Sequence, residues 1–114
     1  MDATASRERT WDRACHIQGE MFEETDALGG LEVQLLFYRG FGECKSSRWV
    51  DSSASLVRRM TAVRCLGGQT QLAKVLSHTL KETRNKKVDA LVFVGDCMEE
   101  DVDRVCHLGG ELGL

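Results

Sequence analysis

The sequence predicts an α/β domain with a mostly parallel sheet and flanking helices. Apolar residues recur at three–four spacing over four stretches, as on one buried face of a helix. Two other stretches read as strands, and the second, V-D-A-L-V-F-V-G at 88–95, has a continuous apolar run from Ala90 to Val94. Such a run fits a central strand covered on both faces. The order helix, strand, helix, helix, strand, helix is the α/β pattern.

Residues 7–28 form the first predicted helix, buried through Trp11, Ala14, Cys15, Met21, Phe22, Thr25 and Leu28, with Glu20, Glu23 and Glu24 mostly opposite. Gly29-Gly30 stops it, because glycine readily takes the left-handed cap conformation. Residues 31–38 alternate as a strand, with Leu31, Val33, Leu35 and Phe37 on one face and Leu36 and Tyr38 on the other. After the Gly40-Phe41-Gly42 turn, residues 43–50 suit a short edge strand or irregular ribbon, given Lys45, Ser47 and Arg48. Residues 52–64 return to helical spacing through Leu56, Val57, Met60 and Val63, with Asp51 or Ser52 as the cap. Gly67-Gly68 breaks the chain again. A helix follows from Thr70 to Arg84, buried through Leu72, Val75, Leu76, Thr79 and Leu80. After strand 88–95, a last helix over 99–112 buries Val102, Val105, Cys106, Leu108 and Leu112.

At 114 residues the chain is one domain, 1–114. Its 42% hydrophobic and 29% charged residues are those of a globular protein. A net charge of −3 disfavours a general nucleic-acid backbone binder. No apolar run reaches the roughly 18 residues needed to span a bilayer, and no leader opens the chain, so the expectation is a cytoplasmic protein with no membrane partner. The five cysteines contain no C-x-x-C pair, which argues against a structural zinc site and for reduced thiols. Cys15-His16 and Cys106-His107 are adjacent pairs, about 100° apart on a helix, and make poor chelates.

Ligands of open α/β sheets bind beyond the carboxyl ends of the strands. Asp96 ends the better strand, Thr70 follows Gly67-Gly68, and Asp2, Thr4 and Ser6 alternate before the first helix. Two carboxylates and three hydroxyls form the all-oxygen set that Mg2+ or Mn2+ prefers. Each piece also has a plainer reading. Asp2-x-Thr4-x-Ser6 could cap the first helix, Thr70 could cap the helix it precedes, and Asp96 could be an ordinary strand-end residue. Glu99, Glu100, Asp101 and Asp103 read as a solvated first helical turn, and Lys45 and Arg48 beside Trp49 as a wet edge.

Taken in order, D-A-T-A-S at 2–6, G-G-Q-T at 67–70 and V-F-V-G-D at 92–96 resemble the three segments of a von Willebrand factor type A (VWA) domain. The metal-ion-dependent adhesion site (MIDAS) of that family uses D-x-S-x-S, a threonine after a G-G turn, and an aspartate ending a hydrophobic strand. Asp2, Thr4 and Ser6 match the first motif, with threonine in place of its first serine; Thr70 matches the second and Asp96 the third. The stretch F-V-G-D-C-M-E-E resembles a bacterial subgroup of small VWA proteins.

The resemblance implies a doubly wound, Rossmann-like sheet and Mg2+ (or Mn2+) held by Asp2, Thr4, Ser6, Thr70 and Asp96. It implies a binding module without catalysis, in which an acidic residue of a protein partner, such as an AAA-type ATPase, completes the ion's shell. In the family a central hydrophobic strand precedes the first motif, whereas here only Met1 precedes Asp2, and the chain stops at E-L-G-L where a further strand is expected. The expectation is therefore a partial VWA domain truncated at both ends, lacking its first central strand. Strands 31–38 and 88–95 would flank that position, with edges open to each other or to another chain. Two alternatives stay open: a magnesium-dependent phosphohydrolase using Asp2, Asp96 and the acidic run to Asp103, and a remnant with no ligand. Against the former, the second aspartate of a D-x-D pair is replaced by Thr4.

Overall fold

Glycines and capping side chains set the element boundaries in the computed structural model of the chain, which describes residues 1–4, 8–95 and 99–113. Helix α1 spans Glu8–Ala27, and Gly29 and Gly30 follow with φ of 112° and 76°. Strand β1, Val33–Arg39, turns at Gly40 into β2, Glu43–Val50. The two pair antiparallel from Val33–Val50 to Arg39–Glu43, with an irregularity between Gln34 and Leu36. Helix α2, Ser53–Thr61, is capped by Ser52, whose side chain accepts from Ser55 N. Helix α3 spans Leu72–Asn85. Helix α4, Val102–Leu112, starts at an Asp101 cap and ends at Gly113, with φ of 84°.

The core lies where α1 and α2 meet the hairpin. Trp11, Cys15, Leu35, Leu56 and Met60 form its buried cluster together with Ala3. Burying each large apolar side chain contributes roughly 1.5–3 kcal/mol. The Trp11 indole N–H is satisfied by Met60 O at 3.2 Å. Helix α1 approaches α2 closely at the buried Gly19, where a Cβ would stand 2.8 Å from Val57 Cγ2. Asp26 clips the far end of α1 to the start of α2, accepting from Ser53 N and Oγ at 3.1 and 2.5 Å. Helix α3 meets the hairpin through polar groups: His78 bonds Gln34, and Glu82 accepts from Gln34 and Trp49. Helix α4 packs on α3.

The class is α/β, but the sheet differs from the expectation. Among the described residues the only ladder is the antiparallel pair β1–β2, not a mostly parallel, doubly wound sheet. Among the described residues parallel pairing is confined to an isolated bridge between Asp2 and Tyr38. Tyr38 N donates to Met1 O at 3.2 Å, and Ala3 N to Tyr38 O at 2.9 Å. On the other side, Asp2 N donates to Val94 O at 2.9 Å. The place between the two predicted strands is thus taken by Met1–Ala3, bonded to Tyr38 on one side and to Val94 on the other.

Residues 88–95 accordingly form no regular strand, and Val92 and Phe93 are 54% and 42% exposed rather than covered. A run of apolar residues becomes a strand only when a neighbour completes its hydrogen bonds. The same openness affects the last helix, which has no fully buried residue: Val102 and Cys106 are exposed, and Val105, Leu108 and Leu112 half-buried. Met21 and Leu28 are also exposed, because the end of α1 is held by the Asp26 clip instead. No helix among the described residues is long and apolar enough to cross a membrane.

Candidate functional site

The Asp2 loop is fixed from below by its backbone. Ala3 is fully buried in the core, so its neighbours on either side, Asp2 and Thr4, share the other direction of an extended segment. Asp2 Oδ1 accepts from Thr4 N at 2.9 Å and from Thr4 Oγ1 at 2.7 Å. This is the local turn that an aspartate makes with the residue two positions on. Asp2 is 1% exposed, and its second carboxylate oxygen, Oδ2, has no hydrogen-bond partner among the described residues.

The second predicted segment is tied to the first. Leu66 N donates to Ala3 O at 2.9 Å, and Gln69 N to Gly40 O at 3.0 Å. Between them Gly68 touches the β1–β2 turn so closely that a Cβ would fall 1.8 Å from Gly40 O. Only glycine fits there, which is the physical reason for the second glycine of G-G-Q-T. The loop delivers Thr70, 6% exposed, whose hydroxyl accepts from Glu99 N at 3.1 Å. The third segment also arrives at the Asp2 loop, since a Cβ on Gly95 would stand 3.5 Å from Asp2 Cβ.

Of the five predicted ligands, Asp2 and Thr4 are in direct contact, and Thr70 lies on a loop pinned to their segment. Ser6 and Asp96 lie outside the described residues. Among the described residues no three His, Cys, Asp or Glu side chains gather in a group that could hold a metal. Asp2 is the one carboxylate of the predicted set that is described; the other two members are hydroxyls.

Thr70 does not cap α3, and neither does Gln71, which holds the cap position without a side-chain cap bond. The cap is Glu100, from the run expected to be solvated: its carboxylate accepts from Leu72 N and Ala73 N at 2.5 and 2.9 Å. Beside it lies a hollow of about 220 Å3 walled by Thr70, Gln71, Lys74, Glu100 and Arg104. The sequence offered Thr70 as the cap, and an acceptor 28 residues downstream was not legible in it.

Other reactive groups lie elsewhere. His16 and His107 face Glu20 and Glu111 on exposed helix surfaces, and His78 faces Gln34 and Glu82. Burial, with Asp12 and Cys65 nearby, pushes the Cys15 thiol up to about 11, and burial raises Cys44 as well. Both thiols stay protonated, which suits packing rather than nucleophilic attack. Cys15, Cys44, Cys65 and Cys106 form no disulfide.

No family model, curated protein or solved structure matches the chain.

Proposed function

We infer that the chain is a metal-ion-dependent protein-binding module of the VWA type, with its ion at the Asp2 loop and no catalysis of its own. The observation that carries this reading is the Asp2 carboxylate. It is buried, one oxygen is held by Thr4, and the other has no partner among the described residues. A buried carboxylate oxygen without a donor costs about 1–3 kcal/mol or more, and a cation removes that cost. A divalent ion on Oδ2 fits the donor set, since carboxylate and hydroxyl oxygens are its preferred ligands.

Asp2 would hold the ion, and Thr4 orients Asp2 by its two hydrogen bonds. Thr70, Ser6 and Asp96 remain the proposed companions. When bound, the ion would supply an electrophilic position for an acidic side chain of a protein partner, of which an AAA-type ATPase is one candidate. The finer fold assignment, a partial doubly wound VWA sheet, belongs to the same proposal. It is supported by the order of Tyr38, Asp2 and Val94 across the sheet.

Calorimetry with MgCl2 and MnCl2 tests the reading. The wild-type chain should bind Mn2+ with an affinity in the millimolar range or better, and Asp2→Asn and Asp96→Ala should each weaken binding at least tenfold. Equal binding by wild type and Asp2→Asn would place the ion elsewhere and overturn the reading. Addition of phosphate monoesters with Mg2+ should give no turnover above background.

A further inference from the structure

Each of the three histidines stands four residues before a glutamate on a helix: His16–Glu20 on α1, His78–Glu82 on α3 and His107–Glu111 on α4. That spacing brings the two side chains together on one helix face. The first and last pairs lie on open surface. The middle pair is different. It faces the hairpin, and each of its side chains is 26% exposed.

Three atoms with lone pairs converge there from two elements. His78 Nε2 lies 3.3 Å from Glu82 Oε1 and 3.0 Å from Oε1 of Gln34, which β1 supplies. Both oxygens are aimed by bonds made elsewhere in their own side chains. Gln34 Nε2 donates to Ser47 O at 3.0 Å, which sets the end of the amide that faces His78. Glu82 Oε2 accepts from the Trp49 indole at 3.5 Å, which leaves Oε1 for His78. Outer bonds of this kind are what orient the ligands of metal sites. With two acceptors meeting Nε2, the neutral ring carries its proton on that nitrogen. Ligand atoms around a tetrahedral ion, with bonds of about 2.0–2.1 Å, stand roughly 3.3 Å apart. The spacing of the cluster is therefore close to that of an ion's shell, with a proton in the ion's place.

We propose that His78, Glu82 and Gln34 form a site for a divalent transition-metal ion, Zn2+ in particular, which pins α3 to the hairpin. The ion takes the position of the Nε2 proton, and the neutral ring carries its proton on Nδ1 instead. One imidazole nitrogen, one carboxylate oxygen and one amide oxygen form a mixed set that suits Zn2+ better than Mg2+. The exposed quarter of each paired side chain leaves a coordination position to water. The site shares no residue with the Asp2 loop and does not depend on the ion proposed there.

The test is a titration of the full chain with ZnCl2 in excess MgCl2, read from the imidazole NMR signals of the three histidines. His78 should saturate at a Zn2+ concentration at least tenfold below that needed for His16 and His107, and its ring proton should move from Nε2 to Nδ1. Gln34→Ala should weaken binding at His78 about tenfold, and Asp2→Asn should leave it unchanged. Three histidines titrating together, an unchanged affinity in Gln34→Ala, or loss of the His78 response in folded Asp2→Asn would each overturn the proposal. If Gln34→Ala does not fold, His78→Gln serves, since it keeps a side-chain N–H at the seam and removes the ligand nitrogen. ZnCl2 should then raise the Tm of wild type and not that of His78→Gln; equal rises would place the zinc elsewhere, such as on the free thiols, and overturn the site. Failure at His78 leaves the ion reading at Asp2 standing, and failure of Mn2+ binding at Asp2 leaves this site standing.

Discussion

Gly68 and Gly110 are the same residue type with opposite consequences for stability. A Cβ on Gly68 would meet Gly40 backbone atoms at 1.8, 2.2 and 2.4 Å, and backbone cannot rotate aside as a side chain does. Gly68→Ala should therefore destabilise the fold by about 3 kcal/mol through overpacking. A Cβ on Gly110, exposed within α4, meets nothing within 4 Å. Gly110→Ala should stabilise by about 0.5–1 kcal/mol, the helix-propensity difference between the two residues. Urea melts of both variants check the pair, and a neutral Gly68→Ala would show that the loop moves freely off the turn. At this scale the sequence was partly legible. Ser52 as a cap and Gly29-Gly30 as a stop follow from local chemistry and stand as expected. The Glu100 cap of α3 did not follow, because it joins residues remote in sequence, and no local pattern reports such a bond.

The hairpin carries its own acid sensitivity. Hydrogen bonds from Arg39 and Lys45 draw the Glu43 carboxyl down to about 2 from its usual 4.5. A carboxylate lowered in the folded state contributes stability that is fully present above its unfolded value. That contribution is lost as pH falls from about 4.5 toward 2. Glu43→Gln should flatten the acid limb of the stability curve over this window by lowering stability at neutral pH while changing little near pH 2, as read by urea melts at several pH values. The segment 88–95 shows the other side of element-level legibility. Its apolar run announces a strand, and its composition is right for one. What the run does not encode is whether a neighbour pairs with it along its length, and here Asp2 N to Val94 O is the backbone bond that joins it to Met1–Ala3. The same reasoning separates α2, whose Leu56 and Met60 are buried as expected, from α4, whose apolar stripe lies half-open.

Across the whole molecule the exposed surface of segment 88–95 and the buried Asp2 lie on two sides of one junction. Val92 and Phe93 stand open on a segment whose backbone lacks a ladder, a combination that favours pairing with another chain. Light scattering should show association that rises with concentration and is reduced in Val92→Lys; wild type remaining monomeric at high concentration would refute this. The α/β class was legible because it depends on element order. The sheet's direction was not, because it depends on contacts between chain positions that periodicity does not connect. The junction also has a kinetic consequence. Asp2 meets Val94 across 92 positions of chain, whereas Arg39 meets Glu43 across four. Closing the longer loop costs roughly 3 kcal/mol more entropy than closing the hairpin turn. The hairpin therefore has the advantage early in folding, and the Asp2–Val94 contact belongs to the last steps. Substitutions at that contact should leave the refolding rate nearly unchanged and accelerate unfolding, so the candidate ion site would be assembled late and dismantled first.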